Sequence, residues 1–103
     1  MKASKSYSSR YQREKIQEYL QKGALVVDVR SKREWEAGHV SGSRHIEFSK
    51  IPGQLKELKN LNLPIITVCV SGMRSGQAMN YLKENGLDSI NGGSRQNVAN
   101  LVS

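Results

Sequence analysis

The sequence contains only one cysteine, Cys69, among its 103 residues. Because a disulfide needs two cysteines, no internal disulfide can form, and nothing in the composition indicates an oxidising compartment. No apolar run approaches the length that crosses a bilayer, and the N-terminus lacks the hydrophobic core of a signal peptide. We therefore expect a cytoplasmic protein that is not inserted in a membrane.

Acidic residues are also scarce, with 9 Asp and Glu against 16 Lys and Arg, which gives a net charge of +7. Such an excess suits nucleic acid, anionic lipid, acidic proteins or small anions. The basic residues are scattered, and no aromatic residues alternate with a concentrated basic stripe, which argues against a nucleic-acid partner. The length predicts one domain. Residues 1–9 are polar and aperiodic, so we expect a flexible N-terminus there and the domain at 10–103.

Hydrophobic patterning predicts an alternation of helices and strands. Ile16, Tyr19 and Leu20 recur at helical spacing, while 24–29 and 65–68 are continuous apolar runs, typical of strands buried on both faces of a parallel sheet. This order predicts an α/β domain with a central parallel sheet and helices on both faces. The predicted helices are 10–21, 31–38 (with a capping box of Ser31 and Glu34), 49–58, 74 or 75 to 86, and 94–102; the predicted extended segments are 24–29, Val40, 45–48, 65–68 and 87–90.

The most informative stretch surrounds the cysteine. The strand at 65–68 leads into Cys69, and a tight turn containing Gly72 then leads into a helix that begins near Arg74 or Ser75. The amides of such a turn, together with the helix N-terminus, form an anion cradle that favours a thiolate. The alternative is that Cys69 is a small apolar residue at the end of a core strand.

In three segments the chain resembles the rhodanese (sulfurtransferase) homology domain. The match runs from about Leu20 to the C-terminus, in the family's order. The segments are Val27-Asp28-Val29-Arg30 with Glu34-Trp35 and Gly38-His39-Val40-Ser41-Gly42-Ser43; Cys69-Val70-Ser71-Gly72-Met73-Arg74-Ser75, similar to the family's six-residue active-site loop; and Asn91-Gly92-Gly93, similar to its Gly-Gly turn.

The resemblance implies a single α/β domain in which Cys69 cycles between thiolate and persulfide. Sulfur would come from a donor such as thiosulfate and pass to cyanide or a thiol, with a protein as donor or acceptor also open, and no metal or organic cofactor is needed. We expect the amides of 70–75 to hold the anionic sulfur, Ser71 to add a hydroxyl donor and Arg74 to add a charge.

The remaining motif residues have structural interpretations. Arg30 and Glu34 lie four residues apart, so an ion pair that braces the start of a helix is expected. Asp28, Arg30 and Glu34 are therefore taken as structural support. His39 could serve as a general base, but it is expected instead to hydrogen-bond the loop beside the sheet. Trp35 is expected to be a core or rim aromatic, and Gly72 to satisfy backbone geometry.

Two positions depart from the family pattern. Val70 stands where the family often has Arg or Lys, which puts a preference for thiosulfate in question, and Ser94-Arg95-Gln96 replaces a segment that tends to contain Trp. Two other functions stay open. One is a cysteine phosphatase or arsenate reductase, although the spacing here is Cys-x4-Arg rather than Cys-x5-Arg; the other is a non-catalytic regulatory module.

Overall fold

A four-stranded, fully parallel sheet forms the centre of the domain, and its strands lie in the spatial order Arg44–His45, Leu25–Asp28, Ile65–Cys69, Ser89–Ser94. The computed structural model describes the backbone of residues 2–102 and the side chains of 11–102. The elements are α1 (Lys2–Gln21), β1 (Leu25–Asp28), α2 (Lys32–Glu36), β2 (Arg44–His45), a 3₁₀ turn (Phe48–Lys50), α3 (Ile51–Leu61), β3 (Ile65–Cys69), α4 (Met73–Glu84), β4 (Ser89–Ser94) and α5 (Arg95–Ala99).

The two apolar runs form the interior strands, as the sequence predicts. β1 and β3 pair in parallel, from Leu25 opposite Ile65 to Asp28 opposite Val68. Every residue of β3 is buried. Because side chains alternate along a strand, the residues of β3 contribute in turn to the cores on the two faces of the sheet. Neither face of this strand is therefore exposed to solvent.

Helices cover both faces, which confirms the predicted architecture. One core joins β1 and β3 to Ile51 and Leu58 of α3 and to Ala78 and Leu82 of α4. The other core contains Ile16 and Tyr19 of α1 with Val98 of α5. The sheet is therefore a middle layer, and only its edges and the ends of its strands reach solvent.

Several predicted boundaries were wrong. α1 begins at Lys2 rather than residue 10, a start that the Ser/Lys-rich segment hides because it lacks apolar periodicity. The separation of a flexible 1–9 from a domain at 10–103 stays a prediction, since the side chains of 1–10 lie outside the described residues. Val40 is a buried core residue outside any strand. Within the described residues, no helix combines the length and apolar character needed to cross a membrane.

β4 is longer than predicted and runs through the glycine pair to Ser94. A Cβ on Gly92 would lie 2.8 Å from Ile66 Cγ2 and 3.0 Å from the Thr67 carbonyl oxygen, so the strand approaches β3 too closely for a side chain. Glycine is therefore required by close strand packing here rather than by a turn. The pairing also contains a bulge: Thr67 lies opposite Asn91, but Cys69 lies opposite Ser94, so β4 carries one extra residue.

The topology fixes where a ligand can approach. The chain leaves β1 towards β2 on one side and leaves β3 towards β4 on the other. A crevice therefore opens between the carboxyl ends of β1 and β3, which is where open α/β sheets bind ligands. Cys69 is the last residue of β3 and stands at this crevice.

Candidate active site

The sulfur of Cys69 lies inside a ring of hydrogen-bond donors. The amide of Gly72 lies 3.0 Å from Sγ and the amide of Ser75 lies 3.4 Å away, while the Ser75 hydroxyl oxygen is 3.2 Å from Sγ. Cys69 is only 1% exposed. The thiol therefore lies at the bottom of a small cradle formed by the turn and the first residues of α4, the arrangement predicted from the sequence.

Gly72 makes the tight turn possible. Its φ is +97°, a left-handed conformation that residues with a Cβ rarely adopt, and it is the N-cap of α4. A Cβ would also lie 3.4 Å from the Gly93 Cα, so the loop and the glycine pair of β4 are in close contact. This conformation turns the Gly72 amide towards Sγ.

The cradle changes the acidity of the thiol. Burial raises the pKa of Cys69, but the hydroxyl and amide of Ser75 and the amides of Gly72 and Ser71 lower it by more, so the pKa lies below its ordinary value. Since the thiolate is the nucleophilic form, the donors around Sγ increase the reactive fraction at neutral pH.

Asn91 connects the parts of the cradle. Its Oδ1 accepts hydrogen bonds from the Ser75 hydroxyl at 2.7 Å and from the Gly93 amide at 2.8 Å, and its Nδ2 donates to the Gly72 carbonyl at 3.0 Å. The bulge in β4 brings these groups together. One carboxamide therefore positions the loop, the first turn of α4 and the glycine pair.

Ser75 has one hydroxyl hydrogen but two acceptors within reach, Cys69 Sγ and Asn91 Oδ1. With Cys69 as a thiol, S–H can donate to Ser75 while Ser75 donates to Asn91. With Cys69 as a thiolate, Sγ can only accept, and the Ser75 hydroxyl is able to turn to it because Asn91 Oδ1 keeps the bond from Gly93. Rotation of a single hydroxyl is therefore enough to supply the thiolate with a third donor.

Arg74, the charged residue of the loop, is paired. Its guanidinium lies 3.2 and 3.4 Å from the two carboxylate oxygens of Glu34. The hydrogen bond from Arg74 and the Ser31 amide lower the pKa of Glu34 to about 2, so this carboxylate stays ionised at neutral pH. The positive charge of Arg74, which was expected to help hold the anionic sulfur, is therefore largely neutralised by Glu34.

The predicted ion pair between Arg30 and Glu34 is wrong. Arg30 instead pairs with Asp28, with Nη2 at 2.8 Å from Oδ2, and it donates to the Gly38 carbonyl at 2.6 Å. Spacing along a helix predicted the wrong partner because Arg30 precedes α2 and its side chain folds back over the end of β1. The buried pair holds the Gly38 loop against the sheet. The predicted capping box of Ser31 and Glu34 is present.

Both histidines, His39 and His45, contact the single tryptophan, Trp35, which is half-buried. The His39 ring stacks on Trp35 with 3.5 Å between ring centroids, and His45 lies on Trp35 at 5.1 Å. His39 bonds the Trp35 carbonyl through Nδ1, within its own turn. Trp35 is accordingly a rim aromatic, one of the two positions expected for it.

Apolar side chains of the loop point outward around the cradle. Val70 is 55% exposed and Met73 is 73% exposed. Ser71 is also exposed and faces Sγ with its amide, so the hydroxyl at the sulfur belongs to Ser75 rather than to Ser71. The loop itself thus presents backbone donors inward and little free charge outward.

Sequence reasoning named Ser75, Asn91 and Glu34 but missed the role of each: the Ser75 hydroxyl at the sulfur, the Asn91 carboxamide as the link between segments, and the Glu34 carboxylate as the partner of Arg74. A signal existed for Asn91, because it directly precedes the glycine pair. Nothing local indicated the pairing of Glu34 and Arg74, which lie 40 residues apart.

Comparison with known proteins gives a consistent result. A family model described as the Rhodanese-like domain matches residues 12–101. The chain is 32% identical over 93 residues to the uncharacterized protein YqhL of Bacillus subtilis, which covers 87% of this chain and 73% of that protein. It is 33% identical over 77 residues to the thiosulfate sulfurtransferase GlpE of Pseudomonas aeruginosa, which covers 75% and 69%. Among solved structures, a rhodanese-like domain protein from Staphylococcus aureus is 30% identical with a TM-score of 0.66, and the match covers 74% of each chain.

Proposed function

The chain belongs to the rhodanese-like domain family, and we propose that it is a sulfurtransferase in which Cys69 carries the sulfur as a persulfide. The observation that carries the proposal is the set of donors around Sγ: two amides and one hydroxyl within 3.4 Å of a single atom. The name of the GlpE relative, thiosulfate sulfurtransferase, supports the same reaction class.

The first half-reaction loads the cysteine. The Cys69 thiolate attacks the outer sulfur of thiosulfate, a new S–S bond forms, the S–S bond of thiosulfate breaks, and sulfite leaves with the electron pair. The product is the Cys69 persulfide anion. The amides of the loop stabilise the anionic sulfur without any movement, because the backbone already points them inward.

The second half-reaction transfers the outer sulfur from the Cys69 persulfide to an acceptor. Cyanide or a thiolate attacks the outer sulfur of the persulfide, the S–S bond to Cys69 breaks, and the Cys69 thiolate returns to its donors. The sulfur leaves as thiocyanate or as a new persulfide. Each attacking electron pair comes from the Cys69 thiolate or from the acceptor, and each leaving group carries away the pair of the bond that breaks, so the cycle needs no metal and no organic cofactor.

The low exposure of Cys69 restricts what can react. A sulfur at the end of a donor molecule is narrow and can enter the cradle, whereas a tetrahedral phosphoryl group needs room for three oxygens. The loop from Cys69 to Arg74 is one residue shorter than a Cys-x5-Arg loop, so it offers fewer inward amides and less room for three oxygens. These features favour sulfur transfer over phosphoryl transfer.

The test is a steady-state assay with thiosulfate or cysteine persulfide as donor and cyanide as acceptor, with thiocyanate as the readout. We expect the wild type to form thiocyanate faster than the uncatalysed reaction of donor with cyanide, and Cys69→Ser to show only that background rate, because a hydroxyl is a poor nucleophile. Ser71→Ala is the matched control for Ser75→Ala, and only the latter is expected to slow turnover. No thiocyanate above that background from either donor, or hydrolysis of an aryl phosphate that is lost in Cys69→Ser, would contradict the proposal.

A further inference from the structure

Arg95 lies at the carboxyl end of the sheet, where the strand that carries Cys69 also ends. It directly follows Ser94, which lies opposite Cys69 in the pairing of β3 and β4. Its guanidinium lies against Gly38: a Cβ on Gly38 would be 3.4 Å from Arg95 Nη2 and 3.8 Å from Cζ. Gly38 in turn is held at the end of β1 through Arg30. Because β3 lies between β4 and β1, the Arg95 side chain extends from the carboxyl end of β4 towards the segment that follows β1.

The charge of Arg95 is uncompensated. Arg30, Arg44 and Arg74 each form an ion pair with a carboxylate. Among the described side chains, three arginines form no hydrogen bond or ion pair: Arg13 and Arg33, which are exposed, and Arg95, which is half-buried. A partly desolvated cation without a partner is costly unless an anion joins it.

The active-site loop has no unpaired cation of its own for an anionic donor. Val70 follows Cys69 with an apolar side chain, and Arg74 is engaged by Glu34. A donor with a sulfonate or carboxylate would therefore find backbone amides for its sulfur but no free charge on the loop for its oxygens. Arg95 lies at the same edge of the sheet and is free to supply it.

Resting on the proposed function, we propose that Arg95 binds the anionic oxygen group of the sulfur donor, a sulfonate or a carboxylate, while the donor's terminal sulfur enters the Cys69 cradle. The guanidinium presents parallel N–H groups that match two oxygens of either group. In the transfer the oxygen group itself does not react: with thiosulfate it leaves as part of sulfite, and with cysteine persulfide it leaves as part of the cysteine thiolate.

Alkylation of Cys69 tests the anion site without any sulfur chemistry. Iodoacetate carries a carboxylate and iodoacetamide is its neutral analogue; both form an S–C bond and release iodide. The measured quantity is the ratio of their rate constants at fixed pH and ionic strength. We expect Arg95→Gln to lower the ratio of iodoacetate to iodoacetamide about tenfold, equivalent to about 1.4 kcal/mol, and Arg95→Lys to restore part of it.

Lys59→Gln is the matched control for charge. Lys59 lines a cavity with Pro64 and Asp88, the residues that directly precede β3 and β4. It therefore lies at the amino ends of these strands, whereas Cys69 lies at the carboxyl end of β3. Removing it changes the net charge by the same amount and is expected to leave the ratio unchanged. An unchanged ratio in Arg95→Gln, or an equal fall in Lys59→Gln, would overturn the proposal, the latter because it would indicate a general field effect.

Sulfur transfer then identifies the oxygen group. In Arg95→Gln we expect a higher KM, with kcat little changed, for whichever donor Arg95 recognises: thiosulfate for a sulfonate site, cysteine persulfide for a carboxylate site. A neutral donor, 2-hydroxyethyl persulfide, is expected to show no change, and an equal loss with this donor would overturn the assignment. If the wild type transfers no sulfur while the alkylation ratio still depends on Arg95, the anion site stands and the proposed function fails.

Discussion

Replacing Glu34 by Gln tests how the loop charge is controlled. Glu34 performs two tasks: it pairs with Arg74, and its Oε1 accepts the Ser31 amide at 2.9 Å in the capping box. Gln keeps an acceptor for the capping box but removes the charge. The Arg74 cation beside the loop is then left uncompensated, and we expect Glu34→Gln to use thiosulfate better than the wild type.

The solvent exposure of Glu34 and Arg74 sets the size of the effect expected from Glu34→Gln. The Arg74 and Glu34 side chains are 38% and 36% exposed, so the pair belongs to the solvent-screened class, worth about 0.2–1 kcal/mol. The free energy of unfolding should therefore fall by no more than about 1 kcal/mol. If the same energy becomes available to a dianionic donor, kcat/KM for thiosulfate rises by up to about fivefold.

The ion pair between Glu34 and Arg74 persists over a wide range of pH. Arg74 and Ser31 lower the pKa of Glu34 from an ordinary value of 4.5 to about 2. A lowered carboxylate pKa stabilises the folded state above the ordinary value, and this stabilisation is lost as pH falls through about 2. Glu34 is thus ionised and paired at any pH used for a sulfur-transfer assay. A difference in kcat/KM between Glu34→Gln and the wild type therefore does not arise from partial protonation of Glu34.

The assay is kcat/KM for thiosulfate at low and high ionic strength, with urea denaturation as the control for folding. Glu34→Ala, which also removes the capping-box acceptor, should unfold more easily than Glu34→Gln by about 1 kcal/mol. A folded Glu34→Gln protein whose kcat/KM for thiosulfate falls would refute the reasoning, because it would mean that Glu34 holds Arg74 in a working position.

Four further substitutions are predicted. Gly92→Ala should destabilise the fold by about 1–3 kcal/mol through overpacking against β3, whereas Gly53→Ala, with nothing within 4 Å of the added Cβ, should be neutral or stabilising in urea denaturation. Ser75→Ala should raise the pKa of Cys69, measured by alkylation against pH; an unchanged midpoint would count against the hydroxyl. Val70→Arg should lower KM for thiosulfate, and an unchanged value would show that charge there is irrelevant.

The sequence predicted those features that depend on neighbouring residues. β1 and β3 were identifiable because continuous apolar runs suit strands buried on both faces, and the cradle followed from a strand, a glycine and a helix start in succession. The capping box of Ser31 and Glu34 was also visible, since its two residues are three apart. In each case the physical cause lies within a few positions of the chain.

The missed features depend on contacts between distant segments. Arg30 was assigned to Glu34 by helical spacing, yet each found a different partner, Asp28 and Arg74, once the end of β1 and the loop came together. The extension of β4 through Gly92 was hidden because glycine usually interrupts strands, and only the closeness of β3 explains it. The linking role of Asn91 likewise requires the bulge opposite Cys69.

The intact mass of the protein, measured after incubation with a sulfur donor and removal of excess reagent, shows directly whether Cys69 carries sulfur. We expect the wild type to gain the mass of one sulfur atom and to lose it again on addition of cyanide or a thiol. Cys69→Ser should gain nothing, since Cys69 is the single cysteine of the chain. A sulfur adduct on Cys69→Ser, or a wild-type protein that gains no sulfur from either thiosulfate or cysteine persulfide, would contradict the central claim.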